Sequence, residues 1–384
     1  MRILRRKTGL YLLCLLIFYI SICSCTSKAT KPFEDDKYWN HVSRIDTYYN
    51  FITNALAVND KFYAVSNDYL FIYDDLNNKA ELHQATWVIS GYHFKPIITH
   101  DIVAQLPVNF QKEIAFSSTN PRINTRAGIS TSRFGEEYKD YYFWAGVRNN
   151  TFGAINSNGR FLTIMSDSYG YSSKKSYVVY ADIGIGHDGN LRVLNSDSID
   201  MSDMLKTIGI DVNSHIFYFV ILDIFTKDDK FFISFMNLSD RAAYFVEINE
   251  DMAYKVCEDT FYGENMRSFF EYQGYLFTLL DSGQIEHTSD GVNWTNWAKM
   301  EGVANNFTEI DNYLFWSYHD QLYLFGDSIS NVSFYRLPTS NIQGRTISSI
   351  NKFKDNLVIT TSSGIFYKSL SKIMKDKELI RVIH

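Results

Sequence analysis

The sequence predicts an all-β chain assembled from repeated hairpins, and three observations predict it. Aromatic residues make up 16% of the 384 residues, with 29 Phe and 27 Tyr against only 5 Pro. Such side chains suit the pleated, half-buried surface of a sheet. Short apolar runs alternate with pairs drawn from Asn, Asp and Gly, which supply the positive φ or local hydrogen bonds of tight hairpins. Finally, the alternation itself recurs along the chain.

The hairpins can be read in order. "LAVNDKFYAVSNDYLFIYDD" turns at Asn59-Asp60 and Asn67-Asp68. "DIFTKDDKFFISFMNLSDRAAYFVEI" turns at Asp228-Asp229 and Ser239-Asp240. "FFEYQGYLFTLLDSGQIEHTS" uses Gln273-Gly274 and Ser282-Gly283. "FTEIDNYLFWSYHDQLYLFGDS" uses Asp311-Asn312 and His319-Asp320, and "INKFKDNLVITTSSGIFYKSL" uses Asp355-Asn356 and Ser363-Gly364. In the C-terminal half the first turn recurs at Asp229, Gly274, Asn312 and Asn356, in steps of 45, 38 and 44 residues. A period near 40 made of short hairpins is the mark of a β-propeller, with one four-stranded blade per repeat. The expectation is a single propeller of about seven four-stranded blades, with six to eight compatible. A pair of β-sandwiches is the rival architecture. The N-terminal half is blurred, though Asn149-Asn150 and Asn158-Gly159 mark turns there. One stretch, "SIDMSDMLKTIG", places Met201, Met204, Leu205 and Ile208 on one helical face with Gly209 as a stop, and predicts a short helix inserted between blades.

The N-terminus bears on location. Arg2, Arg5, Arg6 and Lys7 precede the apolar run "GLYLLCLLIFYISI", the layout of an export signal. Ile22-Cys23-Ser24-Cys25 resembles the lipobox of bacterial lipoproteins. That resemblance implies cleavage before Cys25 and acylation of its thiol, so that lipid anchors the chain to a membrane without spanning it. An ordinary secretory signal or an uncleaved anchor are the alternatives. The organisation expected is a signal peptide over 1–24, a polar tether over 25–45 and the propeller over 46–384. Beyond Cys25 one cysteine remains, Cys257, which leaves no disulfide framework within the chain and fits a small buried apolar group. The mature chain carries 33 basic and 43 acidic residues, a net charge of −10. Nucleic-acid binding calls for a basic face and is not expected.

One motif stands out. In "IEHTSDGVNWTNW", Thr288 and Asp290 can accept from nearby backbone N–H groups, Gly291 permits a left-handed backbone, and Trp294 can cover the turn. The segment resembles the Asp-box, or BNR repeat, of sialidase-like propellers, in a form one residue shorter than usual. "INSNGRF" (155–161) and "TTSSGIFY" (360–367) are looser echoes without the Asp. In that family the box closes outer turns of the blades, away from the catalytic centre. The resemblance therefore implies fold and a structural turn, Thr288, Asp290, Gly291 and Trp294, rather than activity. A sialidase also needs three arginines and a tyrosine nucleophile. The nearest match to its N-terminal arginine motif, Arg122-Ile123 in "NPRIN", lacks the flanking aromatic and proline. No catalytic residue can be assigned.

The other signals are bland. His93, His100 and Asp101 do not form a zinc motif. Asp197, Asp200 and Asp203 have calcium-like chemistry, but acidic capping of the following helix accounts for them equally. Trp294, Trp297 and Trp316 offer either sugar-stacking faces or packing between blades. No cofactor and no metal is expected. The reading is a lipid-anchored protein of the bacterial cell envelope whose propeller binds a protein or glycan as a scaffold. The alternative is a sialidase-like glycoside hydrolase with its site in the propeller funnel.

Overall fold

The computed structural model describes residues 38–42, 52–58, 60–66, 69–84, 97–98, 102–105, 113–118, 126–143, 152–167, 175–207, 209, 219–237, 243–257, 266–291, 293–300, 304–326, 329–330 and 332–383. Among these, strands form seven antiparallel sheets, five of four strands and two of five. Each sheet is a blade, and in chain order they span 52–84, 97–130, 142–200, 219–257, 266–299, 305–337 and 347–369. The innermost strands are Ile52–Val58, Ile97–Ile98, Gly153–Ile155, Phe219–Lys227, Met266–Tyr272, Asn305–Ile310 and Ile347–Phe353. Each neighbours the next, and Ile347–Phe353 returns to Ile52–Val58. The ring is closed, as a β-propeller requires.

Closure draws on both ends of the chain. The seventh blade takes three strands from the C-terminal region and its outer strand, Asn40–His41, from the N-terminal region. The last strand, Glu378–Ile383, instead turns back to add a fifth strand to the sixth blade. Residues 39–42, within the stretch read as tether, are thus built into the ring, because the outer edge of Gly364–Ser369 requires a partner.

Turn chemistry explains the hairpins. Asp228 and Asp229 both have positive φ, as do Gln273 with Gly274 and Asp311 with Asn312. That pattern matches the right-handed twist of the flanking strands. In the seventh blade the turn falls one residue earlier than expected, at Lys354-Asp355, between strands Ile347–Phe353 and Asn356–Thr361. Asn67-Asp68, Asn149-Asn150 and Ser239-Asp240 lie outside the described residues.

The inserted helix α1 spans Met201–Lys206. The Asp200 carboxylate caps it by accepting from Ser202 N–H, Met201, Met204 and Leu205 are buried, and Gly209 follows at φ +79°. A second helix not foreseen in the sequence, α2, spans Leu370–Lys375 and buries Ile373. Leu370, Ile373 and Met374 do share one helical face, but six residues following directly on a strand are too few to set a helical period apart.

Among the described residues, six of the interfaces between blades hold an apolar cluster. Phe134, Phe143 and Phe161 join Ile114 and Ile129 between the second and third blades. Phe231 and Phe235 pack with Ile164 and Tyr180 between the third and fourth. Phe277 and Trp297 meet Trp316 and Phe325 between the fifth and sixth. Burying one such ring contributes about 1.5–3 kcal/mol, so the aromatic richness of the sequence is spent between blades.

Candidate functional site

Antiparallel order gives the ring two unlike faces. On the first, the turn face, lie the turns from each inner strand to the second strand and from the third strand to the outer one. On the second, the crossover face, lie the turns from second to third strands and the connections from blade to blade.

The turn face is bound to itself. Lys227 pairs with Glu271 at 2.9 Å and donates to the Gly274 carbonyl at 3.1 Å, tying the fourth blade to the fifth. Gln273 N–H donates to Glu309 Oε2 at 3.0 Å, and the Tyr272 hydroxyl donates to the Asn312 carbonyl at 3.2 Å, tying fifth to sixth. Lys352 holds Asp311 at 2.6 Å between sixth and seventh, and Lys354 donates to the Asp74 carbonyl at 2.6 Å between seventh and first. Asn158 and Arg160 in the third blade reach Glu250 in the fourth. These charged side chains are thereby committed to neighbouring blades.

The motif Thr288–Trp294 belongs to the same face, as the turn to the outer strand of the fifth blade. Thr288 is 2% exposed. Its Oγ1 accepts from Asp290 N–H at 3.2 Å and Gly291 N–H at 3.0 Å, and donates to Asp290 Oδ1 at 2.9 Å. Asp290 in turn accepts from the backbone and side chain of Asn293 at 2.8 and 2.7 Å. Gly291 sits at φ +75°, where other side chains are strained. Trp294 meets Phe245 edge-on at 5.7 Å and Phe269 at 6.3 Å, which clamps the turn against the fourth blade. The structure brings the four residues together, and each works on the turn.

The two proposed echoes are different turns. Residues 155–161 join the inner and second strands of the third blade, and 360–367 join the second and third strands of the seventh. The true counterparts escaped sequence reasoning. In the third-to-outer turns of the first, third and fourth blades, Asp75, Asp188 and Asp251 accept from the N–H groups of Asn77, Asn190 and Ala253. Asn77 holds the Asp75 carboxyl below its usual range, chiefly through its backbone N–H, and Asn190 does so for Asp188 through its side chain. The shared signal is an Asp accepting two or three residues ahead, without fixed Gly or Trp.

The crossover face differs in kind. Between the described strands, the stretch of sequence that separates one blade from the next is five to eighteen residues long, against two to four for the inner turns. Five inner strands begin there with a register shift, at Thr53, Leu222, Arg267, Asn306-Phe307 and Ser348. Bulges leave backbone groups unpaired, and small polar side chains satisfy them. Thr163 Oγ1 donates to the Phe152 carbonyl at 2.7 Å, and Ser317 Oγ to that of Asn305 at 3.3 Å. Asn306 Nδ2 reaches the Ile347 carbonyl of the next blade at 2.8 Å, and Ser348 Oγ reaches that of Ile52 at 2.6 Å.

Among the described residues the crossover ends of the inner strands are mostly neutral: Thr53, Asn54, Ser268, Asn305 and Ser349. Asp223 lies there too, but it is 8% exposed and its Oδ1 accepts from Ile224 N–H. The side chain of Arg267 lies outside the described residues. Beside the third blade, Tyr138, Tyr141 and Tyr177 pack mutually at 5.5–5.7 Å, and burial with Tyr177 alongside pushes the Tyr141 hydroxyl up to about 12. These three rings belong to the core between the second and third blades, and the described ends of the inner strands offer mainly hydroxyls and amides.

The remaining candidates resolve separately. Asp197 accepts from Ser198 N–H, Asp200 caps α1 and Asp203 pairs with Lys206 at 2.7 Å, so the three serve local turns. Trp297 donates to the Ile329 carbonyl and Trp316 stacks on Tyr323 at 4.2 Å, both as packing between strands and blades. Cys25, His93, His100, Asp101 and Arg122, and the side chain of Cys257, lie outside the described residues. No helix among the described residues is long and apolar enough to cross a membrane.

No family model matches the sequence, and no curated protein does. Solved structures do. A streptogramin B lyase aligns over 89% of this chain and 98% of its own at a TM-score of 0.50 with 9% identity. YCF48 bound to D1 peptide aligns over 86% and 94% at 0.51 with 10% identity. The extracellular domain of a hybrid two-component system from B. thetaiotaomicron aligns over 86% of this chain and 40% of its own at 0.51 with 10% identity. At such identities the likeness is one of fold, and the fold is a β-propeller.

Proposed function

We propose that the chain is a lipid-anchored protein of the bacterial cell envelope whose propeller binds a protein or glycan on its crossover face. One observation carries the reading: charged side chains beside the inner turns of the turn face pair from blade to blade, while the described crossover ends of the inner strands present mainly hydroxyls and amides. Hydroxyls and amides suit the orientation of a peptide or sugar. Propellers built on this plan do bind peptides, as YCF48 bound to D1 peptide does. The lipobox-like Ile22–Cys25 supports the anchor, with Cys25 as the acylated residue. The Asp-box-like turn adds nothing to an enzymatic reading, because hydrogen bonds within the turn account for Thr288 and Asp290.

Two assays test the proposal. Cys25→Ala is expected to move the protein from the detergent phase to the aqueous phase; continued partitioning with detergent would refute the anchor. Incubation with a fluorogenic sialoside and a panel of aryl glycosides is expected to give no turnover. Hydrolysis abolished by a substitution at the crossover mouth would replace the binding reading with a hydrolase.

A further inference from the structure

Residues 39–42 do more than their length suggests. Trp39, 3% exposed, packs among Phe315, Leu337 and Ile342 between the sixth and seventh blades. Its N–H donates to Asn341 Oδ1 at 2.9 Å, its carbonyl accepts from Asn341 Nδ2 at 2.8 Å, and its indole N–H donates to the Pro338 carbonyl at 2.8 Å. Three residues later Val42 is buried with Ile52, Phe62 and Ile365 between the seventh and first blades, and its N–H donates to the Ile365 carbonyl at 3.0 Å. Four residues therefore join three blades. They do so with a strand of only two residues, Asn40 opposite Tyr367 and His41 opposite Phe366.

His41 stands between the two anchors. Its ring lies 4.7 Å from that of Phe366, and the Arg345 guanidinium lies 4.9 Å from the same ring. From the 338–346 connection the Arg345 cation acts on His41 through space. From the seventh blade it meets the neutral Phe366 and the Ser363 carbonyl, and Lys368 of that strand faces Asp376 at 3.5 Å. Gly364 is close enough that a Cβ there would strike the imidazole, so one edge of the exposed ring rests against the seventh blade.

We infer that residues 39–42 form an acid-releasable clip: with His41 neutral the clip closes the ring, and with His41 protonated beside Arg345 it loosens while the blades stay folded. His41 is exposed, and the partial desolvation of its ring first, and Arg345 second, lower the imidazole from its ordinary range, with the Ser363 carbonyl opposing them. The sign follows from linkage. A group whose folded pKa is depressed contributes fully above its unfolded value, about 6.5, and loses that contribution as pH falls through the folded one. A short strand with few hydrogen bonds is also the kind of element that opens locally.

Hydrogen exchange read by mass spectrometry on the full chain, from pH 7.5 to 4.5 and corrected for intrinsic rates, tests the clip. Because His41 is exposed and its repulsion from Arg345 is screened by solvent, exchange over 39–42 is expected to rise about three-fold on acidification relative to Tyr313–Tyr318, the second strand of the sixth blade. His41→Gln should abolish the excess, and Arg345→Gln should move its midpoint to higher pH. Unchanged relative protection of 39–42, or equal acid opening in His41→Gln, would overturn the inference. Should His41→Gln fail to fold, an unmoved midpoint in Arg345→Gln would overturn it alone.

Discussion

The turn face and the crossover face are made from the same strands, yet they solve different problems. On the turn face, two-residue hairpins such as Gln273-Gly274 and Asp311-Asn312 leave little chain to vary, and the Gln273 N–H and the Asp311 carboxylate each meet a side chain of the next blade. On the crossover face the same strands begin with bulges, and the connections between blades are longer. A ring must be held at one rim, so that the other can carry loops of varied length and chemistry. The division teaches that the Asp-bearing turn at Thr288–Trp294, which draws the eye as a motif, lies on the rim that holds.

Several substitutions can break or sharpen that contrast. The largest effect is expected from Thr288→Val, which strands Asp290 and Gly291 N–H groups in a turn where the hydroxyl is nearly fully buried. A loss of about 2 kcal/mol is expected in denaturant titration, with binding at the crossover face unchanged in the folded fraction. Acid titration should give a smaller loss. The depressed Asp75 and Asp188 carboxyls stabilise the fold above their unfolded pKa near 4, and that contribution goes as pH falls through the lower folded values. Asp75→Asn with Asp188→Asn should flatten the acid limb; an unaltered limb would deny these turns a role. Lys352→Met, removing a half-exposed ion pair with Asp311, should cost at most about 1 kcal/mol and less in high salt. Least of all, the exposed Asn305→Ala at the crossover mouth should leave stability within about 0.5 kcal/mol; a cost matching that of Thr288→Val would erase the distinction between the faces.

Much of the ring was legible because its turns are chemically demanding. Only a few residues tolerate positive φ, so Asp228-Asp229 and Asp311-Asn312 announce themselves. The helix at Met201–Lys206 was legible from one apolar face and an acidic cap. The seam was not: Trp39 and Asn341 are 302 positions apart, and a two-residue strand has no period to read. Nor were the counterparts of the Asp290 turn, since Asp75, Asp188 and Asp251 share a hydrogen bond but no common spacing to Gly or Trp. Asn158-Gly159 and Ser363-Gly364 do mark hairpin turns, but such dipeptides serve any tight hairpin and do not single out the turn to an outer strand. The crossover mouth left no sequence signal, because Ser, Thr and Asn satisfying bulges look like ordinary strand residues.

The central claim, that the crossover face binds and the turn face holds, is tested most directly by photocrosslinking in cells. A benzoylphenylalanine placed at Asn305, on the crossover mouth, should form adducts of higher mass with a protein or glycan partner. The same group at Asn312, on the turn face, should leave the chain unmodified. Adducts from position 312 with none from position 305 would contradict the account.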